Sequence, residues 1–269
     1  MKLLPLTSLP RSGSTLLMNI LGQNSIFTVG DDSEIGNLLN YNKQFIVQNI
    51  CHFQLPNELV SDCFLNFCRE GTMSWISKIS SPDKIFLDKS RHWLKDLDYV
   101  FQLFPDLKIL INIRDLRGIV NSFEKINNNS LYIEKSNFYN QINYDLQAQR
   151  VHNILNLFYM KDGLFSLKEL IDMPKTYKNN LYICKYENLL NNPKNELENI
   201  YKFLNLSNFN HDFDNIGQKS YNDNQYMPYG IHKINSKIEK KGEDFSFLRE
   251  DILEMIVHEY NWYYQSFYS

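Results

Sequence analysis

At 269 residues the chain is long enough to bury a sizeable core, and its 43% hydrophobic content suits one well-packed α/β domain over residues 1–269. A formal net charge of −3 provides no global basic field, which disfavours wholesale binding to nucleic acid or an anionic membrane, so any anion site must be local. The four cysteines, Cys51, Cys63, Cys68 and Cys184, show neither a CxxC spacing nor the density of a disulfide scaffold and read as buried thiols of a reducing compartment.

The first apolar segment, Lys2 to Leu6, is too short for a signal peptide, and no stretch of about 18 uncharged apolar residues follows it, so a cytoplasmic chain without a membrane span is expected. The segment runs through Thr7 and Ser8 into the turn Leu9-Pro10-Arg11-Ser12-Gly13-Ser14-Thr15, after which Thr15 to Leu21 has helical spacing. Such a strand, loop and helix aim several backbone N–H groups and the positive end of a helix dipole at one point, which suits an anion. The pattern Gly-x-x-x-x-Gly-Lys-Ser/Thr of nucleoside triphosphatases is not met, because no lysine follows Gly13. Arg11 sits earlier instead, where its guanidinium can grip a phosphate or sulfate edge with two hydrogen bonds, while Ser14 and Thr15 add hydroxyl and backbone donors. Over this segment alone, an ordinary Ser/Gly turn capping a helix reads the same way.

Next, Asp31, Asp32 and Ser33 lead into Glu34-Ile35-Gly36 as a capped helix start, and Pro56 opens a further helix. Lys84 to Asp88 is a compact strand with Lys89 at its end, and strand ends of an open α/β sheet are where ligands sit. Ile85-Phe86-Leu87-Asp88 also resembles a Walker B strand, whose aspartate would hold magnesium in a phosphoryl transferase, although the missing lysine argues against that reading. An amphipathic stretch through Trp93, Leu94, Leu97, Val100, Phe101 and Phe104 follows, then a strand from Leu107 to Ile113. Arg114 ends that strand, and Ser122 lies eight residues on, two turns along the next helix, so that both can converge on one dianion. Phe138 to about Leu170 looks helical, Leu181 to Tyr186 is a strand, the polar stretch from Asn208 to Asp244 is loop, and a last helix runs from Leu248 to Tyr264. Strands alternating with helices imply a P-loop-type three-layer sandwich, a central parallel sheet with helices on both faces. His52, His92, His152, His211 and His258 have no metal-ligand spacing, and no metal is expected.

Three segments together resemble the family of sulfotransferases that use 3′-phosphoadenosine 5′-phosphosulfate (PAPS). Pro10 to Leu17 looks like the family's 5′-phosphosulfate loop, Ile113 to Ser122 like its 3′-phosphate motif, and Lys185 to Pro193 with Ile200 to Leu206 like its Tyr-Glu-x-Leu-x-x-x-Pro segment and the Phe-Leu-Gly-Leu helix end, with Asn205 in place of the glycine. The resemblance implies an α/β fold, direct in-line transfer of a sulfuryl group to a hydroxyl acceptor, and a donor held by Arg11, Ser12, Gly13, Ser14, Thr15 and Leu16 at one end and by Arg114 and Ser122 at the other. Tyr186 either touches the nucleotide or packs at a strand terminus. Lys89 matches the lysine that neutralises the transferring group, and Asp32 matches the base of the tyrosylprotein-type members, with Asp31 and Glu34 as alternatives. In the late basic run, Ser236 and Lys241 are candidates for closing over the nucleotide, and His232 for aligning the acceptor. The acceptor, a glycan, lipid, metabolite or tyrosine, stays open. A magnesium-dependent kinase and a non-catalytic nucleotide-binding module are the rival readings.

Overall fold

The computed structural model describes residues 2–30, 33–54, 56–129, 147–219, 233–239 and 244–269. Five short apolar segments become strands: β1 (Lys2–Ser8), β2 (Phe27–Gly30), β3 (Ile85–Lys89), β4 (Ile109–Ile113) and β5 (Leu181–Lys185). They pair, all in parallel, in the order β2-β3-β1-β4-β5. Parallel strands need crossovers, and these contain the helices α1 (Ser14–Leu21), α2 (Ile35–Asn49), α3 (Asn57–Ile79), α4 (Leu97–Leu103), α5 (Leu116–Asn129), α6 (Gln147–Leu155), α7 (Phe158–Asp172) and α8 (Lys175–Lys178), while α9 (Tyr186–Asn191), α10 (Pro193–Leu204), α11 (Glu250–Glu259) and α12 (Asn261–Phe267) follow the last strand.

Because side chains alternate along a strand, the sheet divides the core in two. Ile109, Ile111, Ile113 and Phe86 point into one layer, with the buried faces of α3 to α7, α11 and α12. Leu110, Ile85, Leu87, Leu4 and Leu6 point into the other, against Leu17 and Leu21 of α1 and Leu197 and Ile200 of α10. The three-layer α/β architecture expected from the alternation of elements is therefore observed.

The structure departs from the sequence reading at several points. The edge strand β2 was not expected; its four residues pair only with β3 and are too few to display a period of two. In place of one helix up to Leu170, the described part is α6 and α7 with a break at Leu157, whose backbone is extended (φ −54°, ψ 139°). The last helix divides at Tyr260, whose backbone (φ −108°, ψ 32°) is not helical, into α11 and α12. The amphipathic stretch after β3 is a 3-10 turn over Arg91–Leu94 followed by α4, with Asp96 between them in the left-handed region at φ 55°. Tyr186 opens α9, since β5 ends at Lys185. Cys68 and Cys184 are buried as expected, but Cys51 and Cys63 are exposed.

The described parts of the polar late stretch carry no helix or strand, yet they are tied down: the Ile216 N–H donates to the Ser236 carbonyl at 2.6 Å, and the Ile238 N–H to the Phe213 carbonyl at 3.0 Å. Ile216 is buried in the same core layer as α1. Among the described residues, no helix is long and apolar enough to cross a membrane.

Candidate active site

The strand order changes direction at β1, which has β3 on one side and β4 on the other, and in open parallel sheets the crevice at such a point binds ligands. Register aligns Leu6 with Lys89 and Ser8 with Asn112. The loop leaving β1 is thus flanked by Lys89, half-buried at the end of β3, and by Arg114, just beyond β4.

That loop is curled by two left-handed residues, Arg11 (φ 61°) and Gly13 (φ 86°), on either side of Ser12. Its hydroxyls largely serve its own shape. Ser12 Oγ, fully buried, donates to the Leu9 carbonyl at 2.6 Å, and Ser8 Oγ donates to Ser14 Oγ at 2.8 Å. Asn112 reaches across from β4 to donate its amide to the Ser12 carbonyl. The helix α1 then begins at Ser14 with no side-chain cap and no acidic residue in its first turn, so the N–H groups of that turn and the dipole meet an anion without competition from a carboxylate on the same turn. Thr15 and Leu16, both half-buried, belong to that first turn.

Side chains from three distant segments meet over this loop. The Arg114 guanidinium stacks on the Tyr186 ring, 4.5 Å from its centroid, and Nη1 donates to the Arg11 carbonyl at 3.0 Å. Arg11 Nε donates to Ser122 Oγ at 3.1 Å. Two glycines make room: a Cβ on Gly13 would lie 2.2 Å from the Tyr186 ring, and one on Gly118 would lie 2.8 Å from Arg114 Nε. Arg11, Gly13, Arg114, Ser122 and Tyr186 therefore form one connected group in which two guanidinium groups and a hydroxyl border an uncapped helix start. Such a donor set can hold an anionic group.

On the opposite flank, Asp88 is fully buried and accepts from the Ser33 N–H (3.1 Å), the Ser33 hydroxyl (2.9 Å) and the Trp93 indole N–H (2.7 Å). The carboxylate that a magnesium-binding strand would offer to a metal is instead bonded to Ser33 and Trp93. Among the described residues, no group of three or more His, Cys, Asp or Glu side chains is arranged around a metal-sized space. Glu34, exposed at the start of α2, accepts from the Asn37 amide at 2.9 Å. Ser236 is exposed, with its backbone joined to Ile216. Asp31, Asp32, His232 and Lys241 lie outside the described residues.

The sequence reading missed a second set of residues behind Arg114. The Tyr263 hydroxyl donates to the Arg114 carbonyl at 2.9 Å, Glu187 Oε1 accepts from the Asp115 N–H at 2.9 Å, the Tyr268 hydroxyl donates to Glu187 Oε2 at 3.0 Å, and the Tyr264 hydroxyl donates to Asp115 Oδ1 at 2.9 Å. Burial first, reinforced by the Asp115 carboxylate at all three phenols and by Glu187 at Tyr263 and Tyr268, pushes their pKa values well up, so they stay protonated donors. In sequence these tyrosines are indistinguishable from the packing face of a terminal helix, and only Asp115 and Glu187 fell within marked segments.

The model of the sulfotransferase family matches residues 5–211. Among solved structures, the sulfotransferase domain from the curacin biosynthetic pathway is 13% identical with a TM-score of 0.57, the alignment covering 97% of each chain. The sulfotransferase domain from the Synechococcus PCC 7002 olefin synthase is 14% identical with a TM-score of 0.55, covering 97% of this chain and 94% of that one. Sulfotransferase STF9 from Mycobacterium avium is 11% identical with a TM-score of 0.52, covering 99% of this chain and 76% of that one. At such identities the likeness is one of fold. No curated protein sequence matches the chain.

Proposed function

The chain belongs to the sulfotransferase family, and from that premise we propose that it transfers a sulfuryl group directly from PAPS to an acceptor hydroxyl. The observation that supports this reading is the convergence of Arg11, Arg114 and Ser122 beside the uncapped start of α1, a set of donors suited to the anionic groups of that nucleotide. The N–H groups of the first turn of α1 and the Arg11 side chain hold the phosphosulfate, and Arg114 with Ser122 holds the 3′-phosphate, while the Tyr186 ring keeps the Arg114 guanidinium in plane. Lys89, aligned with Leu6 on the other side of the loop, offsets the charge that grows on the transferring group. Asp32 accepts the acceptor's proton as the acceptor oxygen bonds to sulfur and the bond from sulfur to the bridging phosphate oxygen breaks, which releases a sulfate ester and adenosine 3′,5′-bisphosphate. Asp88, by pinning Ser33, fixes the residue that follows that base. The acceptor is a hydroxyl of a glycan, lipid, metabolite or tyrosine.

The test is calorimetric binding of adenosine 3′,5′-bisphosphate to the wild type and Arg114→Ala. The wild type should bind, and the variant should bind about 100-fold more weakly, since a charge-assisted pair is worth about 1.5–3 kcal/mol. Equal affinities, or no binding by either, overturn the donor assignment. With a competent acceptor, turnover should survive a metal chelator, whereas a magnesium-dependent kinase would stop.

A further inference from the structure

Arg114 is held from behind through a single peptide plane. The Arg114 carbonyl and the Asp115 N–H are the two polar ends of one peptide unit, and each has its own side-chain partner: Tyr263 for the oxygen and Glu187 for the N–H. Tyr268 in turn fixes the far oxygen of Glu187, and Tyr264 fixes the Asp115 carboxylate. Because a peptide unit is rigid, gripping both ends sets the rotation about the Arg114 Cα–C bond and hence the point from which the Arg114 side chain departs. The guanidinium has no slack to absorb an error, since Gly118 approaches it on one side, Tyr186 stacks on its face and the Arg11 carbonyl accepts from it. Burial requirements explain why a buried carbonyl has a donor, but not why donors on and just after α12 close on the one peptide that carries Arg114.

Building on the donor reading above, we propose that Tyr263, and Tyr268 acting through Glu187, are positioning residues that set Arg114 for the 3′-phosphate of the donor. The C-terminal helix α12 is thereby part of the apparatus that distinguishes a 3′-phosphorylated nucleotide from an unphosphorylated one. The pKa values of both phenols, raised first by burial, keep the hydroxyl protons in place at neutral pH.

The experiment measures, on the full chain, the affinities for adenosine 3′,5′-bisphosphate and adenosine 5′-monophosphate in the wild type, Tyr263→Phe, Tyr268→Phe, Arg114→Ala and Tyr263→Phe combined with Arg114→Ala. Each single tyrosine variant should lose about 10-fold in affinity for the bisphosphate, equivalent to about 1.4 kcal/mol, and less than about twofold for the monophosphate. On the Arg114→Ala background, Tyr263→Phe should add no further loss, because the group it positions is gone. Tyr268 is half-buried where Tyr263 is fully buried, so its phenylalanine variant keeps the test decisive if Tyr263→Phe does not fold. A wild type that prefers the bisphosphate, with tyrosine variants that keep the same preference, overturns the positioning role. A wild type with no preference overturns the donor reading and this inference with it.

Discussion

Arg11 Nε donates to Ser122 Oγ at 3.1 Å, joining the loop after β1 to a helix 111 residues later. Arg11 does this from a left-handed backbone (φ 61°), a conformation that costs a non-glycine residue roughly 1–3 kcal/mol and persists only where the surroundings impose it. Arg11→Gly should therefore separate strain from function. Relief of the positive φ offsets the entropy cost of glycine, so urea unfolding should change by less than about 1 kcal/mol. Affinity for adenosine 3′,5′-bisphosphate should still fall by about 10- to 100-fold, because the guanidinium is lost. A variant that unfolds easily yet binds normally would show that Arg11 serves the loop's shape alone.

Gly118 offers the reverse separation. A Cβ there would lie 2.8 Å from Arg114 Nε and 3.3 Å from Nη2, so Gly118→Ala must displace the guanidinium from its stack on Tyr186. Alanine also favours the helix by up to about 1 kcal/mol over glycine. Thermal unfolding should therefore hold or rise while bisphosphate affinity falls by roughly 5- to 10-fold, the scale of one weakened charged hydrogen bond. Unchanged affinity would mean that Arg114 tolerates the shift and that its observed pose is not the binding one.

Asp88 connects the sheet to the segment that bears the proposed base. Asparagine in its place keeps one acceptor oxygen but turns an amide toward donors, so the three bonds from Ser33 and Trp93 cannot all be kept. Asp88→Asn should cost about 2–3 kcal/mol of folding stability. Because Arg11, Arg114 and Ser122 lie on the other flank, kcat should fall more than the donor KM rises. Equal effects on both would place the role of Asp88 in folding alone.

What the sequence disclosed follows from distance along the chain. Arg11, Arg114 and Ser122 sit in local strand, loop and helix patterns, so their types and offsets were readable before any fold was known. The parallel sheet was readable for the same reason, from β1, β3, β4 and β5. Tyr263 and Tyr268 were not, because they act on a peptide some 149 residues away and on a glutamate 81 residues away, and an aromatic terminal helix carries no mark of its hydroxyl partners. Trp93 likewise read as an apolar position, and only the structure shows its indole N–H committed to Asp88. Cys51 and Cys63 were misplaced because composition sets a compartment, not a side of a helix.

Acidification should loosen the late segment through His211. Its ring is buried, with Nε2 3.1 Å from the Tyr201 hydroxyl and Nδ1 3.3 Å from Gln23 Oε1, and Gln23 also bonds both the N–H and the carbonyl of Asp212. These contacts hold the stretch that leads to Ile216 and its bond to Ser236. Burial pushes the His211 pKa down to about 4, only partly countered by the Ile20 backbone, against an ordinary value of 6.5 in the unfolded chain. The unfolded state therefore binds the proton first. This contribution to stability is complete above about pH 6.5 and is lost as pH falls toward 4, with a total on the order of 3 kcal/mol. Urea unfolding of the wild type at pH 7 and pH 5 should show this decline, and His211→Asn should start lower at pH 7 but decline less between the two. Parallel declines in both proteins would assign the acid sensitivity to other groups. Hydrogen exchange should locate the loss in the 208–219 segment before the strands, because that segment is fastened by side-chain bonds at this histidine whereas the strands are held by the sheet ladder.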